Sequence, residues 1–474
     1  MNAGGKVIFL GEKPVYVDGN PAASKWNGIF AHKNVISCKN EMVDMNKLLG
    51  ELIENKVKVQ DMDGNEIADI SVHYRIDGKN HIFFMSNKSR HRDHEAKIFF
   101  PVKGEATEFD MQTGKTKKLE TGLYSKGLTA ELKISRAGSR AFVIDSSKAA
   151  VVSKKAVYSK EMVEKFDPKW KFKRLDLNTL TLDFCKFRVD NGGWSDVLPV
   201  YKARQKAWVV SGLQPAKGIQ PWAQKDMSVP CRNVAVEIET KFYVEKLPKT
   251  IFFLLESSEK WELIVNGKEV SAKTTAWQYD KCLAKINIAK YVKSGANTIN
   301  ISGRFDYDMA IEDMYLSGDF GVKKLYDNKY VITGEPGILT DGNWGSQGYP
   351  FYSGSMIYEQ DVVLARGKKN KVTLELNNPK GTVFFVYVNG KKQPLITEPW
   401  KADITSAVKD GKNNIKIEVV SSLRNTFGPL HHRLGDDVGW VGPNCFVDDA
   451  DQKLEYVFEP YGLLEGASVI VSTK

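Results

Sequence analysis

FFVYVNGKKQP (384–394), then Trp400, then ADITSAVKDGKNNIKIE (402–418) has an earlier counterpart in the same chain: WELIVNGKEV (261–270), then Trp277, then INIAKYVKSGANTINIS (286–302). The Val-Asn-Gly triplets begin at Val265 and Val388, and the Gly-x-Asn triplets at Gly295 and Gly411. Two features repeated in one order at nearly one separation mark two copies of a domain. In each copy, apolar residues alternate on both sides of an Asn-Gly pair, the dipeptide whose positive φ values close a two-residue hairpin. AKYVKSG and TSAVKDG each end in a glycine that releases the chain into the next strand. These motifs build a fold, and as ligand contacts they carry almost no weight.

Working outward, SVHYRIDGKNHIFFMSN (71–87) reads as strand, Asp77-Gly78 turn and strand. AKIFFPVKG, ATEFDMQTGK, LTAELKIS and SRAFVIDSS continue the period-two pattern to about residue 147. The opening stretch differs. GGKVIFLGEKP (4–14) holds a short, continuously apolar strand, Val7 to Leu10, of the kind found in covered parallel sheets. NEMVDMNKLLGELIENK (40–56) reads as an amphipathic helix with Asn40 as N-cap and Met45, Leu48, Leu49, Leu52 and Ile53 at helical spacing. VKV (57–59) follows as a short strand. The neighbours a parallel sheet needs are not evident, so the strand is expected to be an orphan edge and an aggregation hazard. Residues 1–70 are accordingly expected to be the tail of an α/β domain that begins outside this chain. The predicted fold is mainly β: tandem antiparallel β-sandwich, jelly-roll domains after a short α/β remnant. The predicted domains are 1–70, 71–155 (a small sandwich), 156–322 and 323–474 (two jelly rolls).

The bulk numbers agree with several ordinary globular cores. The chain has 474 residues, 42% hydrophobic and 27% charged, which exceeds one core and departs from a disordered profile. No apolar run approaches a membrane span. The net charge of +10 is spread along the chain rather than gathered in a basic stripe with stacking aromatics, so nucleic acid is not expected as a partner and neither is a membrane. The five cysteines are far apart and form no CxxC pair, so buried free thiols are favoured over a zinc site or disulfides. The first residues carry no signal-peptide pattern.

The string VNGK, apolar gap, D-I-T-x-A-V-K-x-G-x-N-x-I-x-I resembles the sugar-binding jelly-roll domain of family 2 glycoside hydrolases, a galactose-binding-like fold. LNTLTLDFC (177–185), YLSGDFGV (315–322), WGSQGYPFYSGSMIYEQDV (344–362) and SSLRNTFGPLHHR (421–433) together resemble the C-terminal half of very large bacterial glycoside hydrolases of the α-L-rhamnosidase type, family 106. The resemblance spans nearly the whole chain. It implies that GGKVIFLGEKP closes a catalytic (β/α) barrel region, and it implies a periplasmic or extracellular setting. The barrel and its acid and base carboxylates are missing from this sequence, so no catalytic residue is carried over.

Candidate chemistry is sparse. Glycoside hydrolysis needs two carboxylates at a fixed separation. Glu312 with Asp313 and Asp436 with Asp437 are adjacent in sequence and read better as solvated or turn-stabilising acids. The loop Asp341 to Ser355 is the best ligand candidate. Trp344, Tyr349, Phe351 and Tyr352 offer faces for sugar rings, and Asp341, Asn343 and Gln347 offer partners for hydroxyls. The plainer alternative, rings that cap the sandwich core, weighs slightly more. The second candidate is Arg424, Asn425, His431 and His432. Adjacent histidines on extended chain point opposite ways, so the pair is not expected to share a metal, and packing is again the plainer reading. Asp436, Asp437, Asp448, Asp449 and Asp451 offer calcium-type oxygens but match no EF-hand spacing, so neither metal nor cofactor is assigned. Arg90, His91, Arg92 and His94 read as a solvated hairpin end.

The leading expectation is a non-catalytic C-terminal region of a glycoside hydrolase acting on polysaccharide, with an oligo- or polysaccharide and a catalytic barrel encoded upstream as its partners. The alternatives are a free-standing carbohydrate-binding protein without hydrolytic activity and an adhesive β-sandwich array with protein partners.

Overall fold

The computed structural model describes residues 5–39, 41–52, 57–111, 114–151, 160–214, 230–365, 367, 370–398, 400–435, 441–442, 444–447 and 449–473. The chain forms two compact units, Met1–Lys155 and Ala156–Lys474. Nearly all strand pairing is antiparallel, and the architecture is a series of β-sandwiches, as the alternating pattern requires.

In the first unit, Val7–Leu10 pairs in parallel with Val35–Cys38 and is therefore not an orphan strand. The sequence reading missed Val35–Cys38 because four residues, VISC, carry too little pattern to declare a strand. Phe9, Trp26 and Phe30 cluster beside this pair, yet none of the residues from 5 to 52 whose side chains are described is fully buried. The expected helix forms at Met42–Leu52; its proposed N-cap Asn40 and its Ile53 lie outside the described residues. Lys58–Gln60 leaves this layer and pairs antiparallel with His94–Phe100. The resulting sandwich has a five-stranded and a four-stranded sheet around Phe83, Phe100 and Phe142. Gly78 at φ 57° closes the Asp77–Asn80 hairpin.

The second unit holds two sandwiches joined by an exchange of strands. One has a core sheet containing Asn178–Leu182, Met314–Gly318 and Ile251–Glu256, faced by a sheet containing Phe184–Val189, Ala235–Val244 and Gly295–Arg304. The other is built from Ser355–Leu364, Gly411–Val420 and Val383–Val388 on one side and Lys371–Leu376 with Ala467–Thr473 on the other. Lys160–Lys165 pairs with Ala467–Thr473, and Lys169–Arg174 pairs with Ser355–Leu364. Residues 160–174 thus belong to the C-terminal sandwich, while the hairpin Gly321–Tyr326 and Lys329–Thr333 joins the earlier one through Ala235–Val244. Strand pairing crosses the boundary drawn at 322 in both directions, whereas among the described residues no ladder crosses the one drawn at 156, where the two compact units divide. The repeat locates the centre of each copy but not the outer strands, whose partners are chosen by long-range pairing.

The duplicated motifs form duplicated locks. Asn266 and Gly267 lie at φ 52° and 77°, and Asn389 and Gly390 at 51° and 79°. Asn266 Nδ2 donates to Asn297 Oδ1 at 2.7 Å, and Asn297 Nδ2 reaches the Lys293 and Gly295 carbonyls. Asn389 Nδ2 donates to Asn413 Oδ1 at 2.9 Å, and Asn413 Nδ2 reaches the Lys409 and Gly411 carbonyls. The Asn of each hairpin turn is therefore spent on the Asn of the Gly-x-Asn triplet. Both receiving residues are buried, where a polar side chain is tolerated only when bonded.

Candidate functional site

The Asp341–Ser355 loop is packed inward. Trp344, Tyr349 and Tyr352 lie in the C-terminal core at 1%, 1% and 0% exposure. Trp344 Nε1 donates to the Tyr358 hydroxyl, and the Tyr352 hydroxyl donates to the Ser355 carbonyl at 2.7 Å. Asp341 accepts from Trp170 Nε1 at 2.7 Å, and burial raises its carboxyl above the usual range despite that bond. Asn343 caps the short helix Trp344–Gln347 through Gly345 N, and Gln347 staples the loop to Thr340. The expected sugar platform is thus occupied by its own fold: faces that would stack on a ring are covered by neighbouring side chains. Phe351 turns into the other sandwich and meets Tyr330, Tyr456 and Phe458.

The second candidate set divides. Arg424 opens the short helix Arg424–Phe427, its backbone N–H held by Ser422 Oγ and its guanidinium nitrogens buried. Asn425 exchanges two bonds with the Glu459 backbone, at 2.8 and 2.9 Å. His432 is buried, and its Nδ1 accepts from Leu434 N. His431 meets different groups: Nδ1 faces the Lys453 carbonyl at 3.0 Å, and Nε2 faces Asp183 Oδ2 at 3.0 Å. The two histidines share no partner, as their adjacency on the chain suggests. Elsewhere, His94 pairs with Asp69 and residues 90–92 are exposed. Asp449 pairs with Lys202 and Asp451 with Arg433, whereas Asp436, Asp437 and Asp448 lie outside the described residues.

Asp183 is the residue that sequence reasoning missed. Its signal was present in Leu180-Thr181-Leu182-Asp183-Phe184-Cys185, where one charge interrupts a run of buried positions. Its side chain is 8% exposed, and both oxygens are engaged: Tyr456 OH donates to Oδ1 at 2.6 Å and His431 occupies Oδ2. Both acceptors facing His431 lack a proton of their own, so the geometry favours the doubly protonated ring. Burial opposes that charge, but the Asp183 bond and charge, the Lys453 carbonyl and the Asp313 charge outweigh it and hold His431 above its ordinary value. Asp313 is driven well above the carboxylate range by burial and by the charges of Asp183 and Glu312. Glu312 is bound by Arg204. Burial, with the Asp313 and Asp183 charges, pushes the Cys185 thiol up to about 12, so Cys185 is an inert buried thiol.

Asp183 and Tyr456 also form the floor of a cavity of about 190 Å³. Its walls follow from strand periodicity. Odd positions of Ala235–Val244 alternate outward, placing Glu239, Lys241 and Tyr243 on the surface, and Phe184 and Lys186 do the same on the neighbouring strand. The hairpin tip adds Tyr326, Asn328, Lys329 and Tyr330. The site therefore combines ring faces, amide and hydroxyl groups and charged side chains around a space of about one pyranose ring.

No protein-family model and no curated protein matches the chain. Among solved structures it is similar to a rhamnosidase from Novosphingobium sp. PP1Y, at 13% identity and TM-score 0.44, covering 98% of this chain and 31% of that one. It is also similar to the Streptomyces avermitilis α-L-rhamnosidase complexed with L-rhamnose, at 11% identity and TM-score 0.26, covering 88% of this chain and 39% of that one. A third is the β-D-mannosidase from Dictyoglomus thermophilum, at 13% identity and TM-score 0.21, covering 52% and 31%. The chain thus spans 31% and 39% of the lengths of the two rhamnosidases.

Proposed function

We propose that this chain is a non-catalytic, carbohydrate-binding and structural region of a glycoside hydrolase of the α-L-rhamnosidase type, acting on polysaccharide, and that the cavity above Asp183 receives one sugar unit. In this reading the sandwiches shield or complete the substrate cleft of a catalytic barrel. The observation that carries it is the contrast between the cavity and the acids in its lining. The cavity presents tyrosines and hydrogen-bonding groups to a small ligand. The carboxylates that line it are committed to internal partners: Asp183 to His431 and Tyr456, and Glu239 to Lys241. Hydrolysis would need one carboxylate free to donate a proton and a second on the opposite side of the sugar.

Titrating the full chain with a panel of oligosaccharides by calorimetry, with product analysis of the same samples, tests the proposal. Binding without cleavage is expected, and Tyr326→Ala should weaken it by about tenfold, a typical loss for one stacking face. Release of new reducing ends, or silence across the panel, would contradict it.

A further inference from the structure

We infer that the sugar recognised above Asp183 is acidic: a saccharide whose carboxylate meets Lys186 and Lys329. This rests on the carbohydrate reading just given and adds the charge of the ligand. The charges around the cavity do not balance. Three lysines line the cavity, Lys186, Lys241 and Lys329, against two carboxylates, Glu239 and Asp183. Lys241 and Glu239 lie 3.5 Å apart and offset each other. Asp183 accepts from Tyr456 and faces His431, whose opposite nitrogen must donate to the Lys453 carbonyl. An imidazolium there cancels the Asp183 charge.

What remains uncompensated is Lys186 and Lys329, for which no ion-pair partner exists among the described residues. Lys186 stands directly across from Glu239 in the strand register, but Glu239 lies with Lys241. Lys329 stands at the hairpin tip opposite Tyr326. Both lysines are half-buried residues of the cavity lining, so an anion held in the cavity meets their charge across less solvent than at an open surface. Tyr326 and Tyr330 flank Lys329 and supply the ring faces. A neutral sugar would use those faces while leaving the paired positive charge unanswered. A uronic-acid unit answers both.

The test uses trigalacturonate and its fully methyl-esterified form, which keeps the sugar rings and linkages but replaces each carboxylate by a neutral ester, titrated into the full chain by calorimetry at low and high salt. Trigalacturonate should bind at least about tenfold tighter than the ester, and the advantage should shrink as salt screens the lysines. Lys186→Gln and Lys329→Gln should each remove most of that advantage while leaving the weak binding of the ester in place; circular dichroism confirms that the variants are folded. Equal affinity for acid and ester, or variants that bind trigalacturonate as the parent does, would overturn the charge assignment and leave the carbohydrate reading standing. No binding of either form, together with no binding of any neutral oligosaccharide, would overturn both.

Discussion

His431 shows how a single side chain can hold two segments of the second unit together. Its folded value is raised above that of the unfolded chain, so the stability it contributes is fully present below the unfolded value and is lost as pH rises through the folded one. Urea melts of the full chain should therefore show the second unit weakening as pH rises above about 6.5. His431→Ala should cost about 3 kcal/mol at pH 6, because it strands the buried Asp183 carboxylate, and clearly less at pH 9. Equal losses at both pH values would show that the imidazolium is not the form that binds Asp183. Trp344 makes the opposite point. The sequence exposes its residue type but not its surroundings, and the same string reads equally well as a binding loop or as a core plug. Its burial against Tyr358 and Tyr461 decides for the plug. Trp344→Ala should cost about 3–5 kcal/mol in thermal or urea melts. A stable variant that had merely lost sugar affinity would restore the loop as a binding site.

At the scale of elements, what was legible was what is local. The Asn-Gly hairpins, the glycines that release the next strand and the period-two alternation need only a few neighbouring residues to act, and all of them appear where the sequence places them. The locks behind the hairpins were not legible, since Asn266 finds Asn297 across 31 positions. Asn297→Ala and Asn413→Ala should each destabilise the second unit by about 1–3 kcal/mol, because each removes a buried amide that bonds several backbone groups of its turn and the Asn of the hairpin. Similar losses in the two melts would confirm that the copies use one device. A negligible loss in either would show that water replaces the amide. Asp183 was hidden for the same reason: a buried charge between two strands announces a partner but does not say which, and here the partners lie beyond residue 430.

Across the whole molecule, the exchange of strands in the second unit matters most. The C-terminal sandwich takes Lys160–Lys165 and Lys169–Arg174 from a segment that precedes the other sandwich in the chain. Strands supplied from outside a segment leave open sheet edges when that segment is produced alone. Residues 323–474 by themselves should therefore aggregate or melt without cooperativity, whereas 156–474 should melt as a folded unit; a sharp transition for 323–474 alone would contradict this. The same exchange sets the site. It brings Tyr456 and His431 from the C-terminal segment to Asp183, the residue linking the strands Asn178–Leu182 and Phe184–Val189, and so builds the floor of a cavity whose walls belong to the earlier sandwich. The most direct test is amide chemical-shift mapping of the full chain during titration with trigalacturonate. Saturable shifts centred on Lys186, Lys241 and Lys329, with the trisaccharide recovered intact, are the expected result; shifts centred on the 341–355 loop, or cleavage of the trisaccharide, would contradict the account.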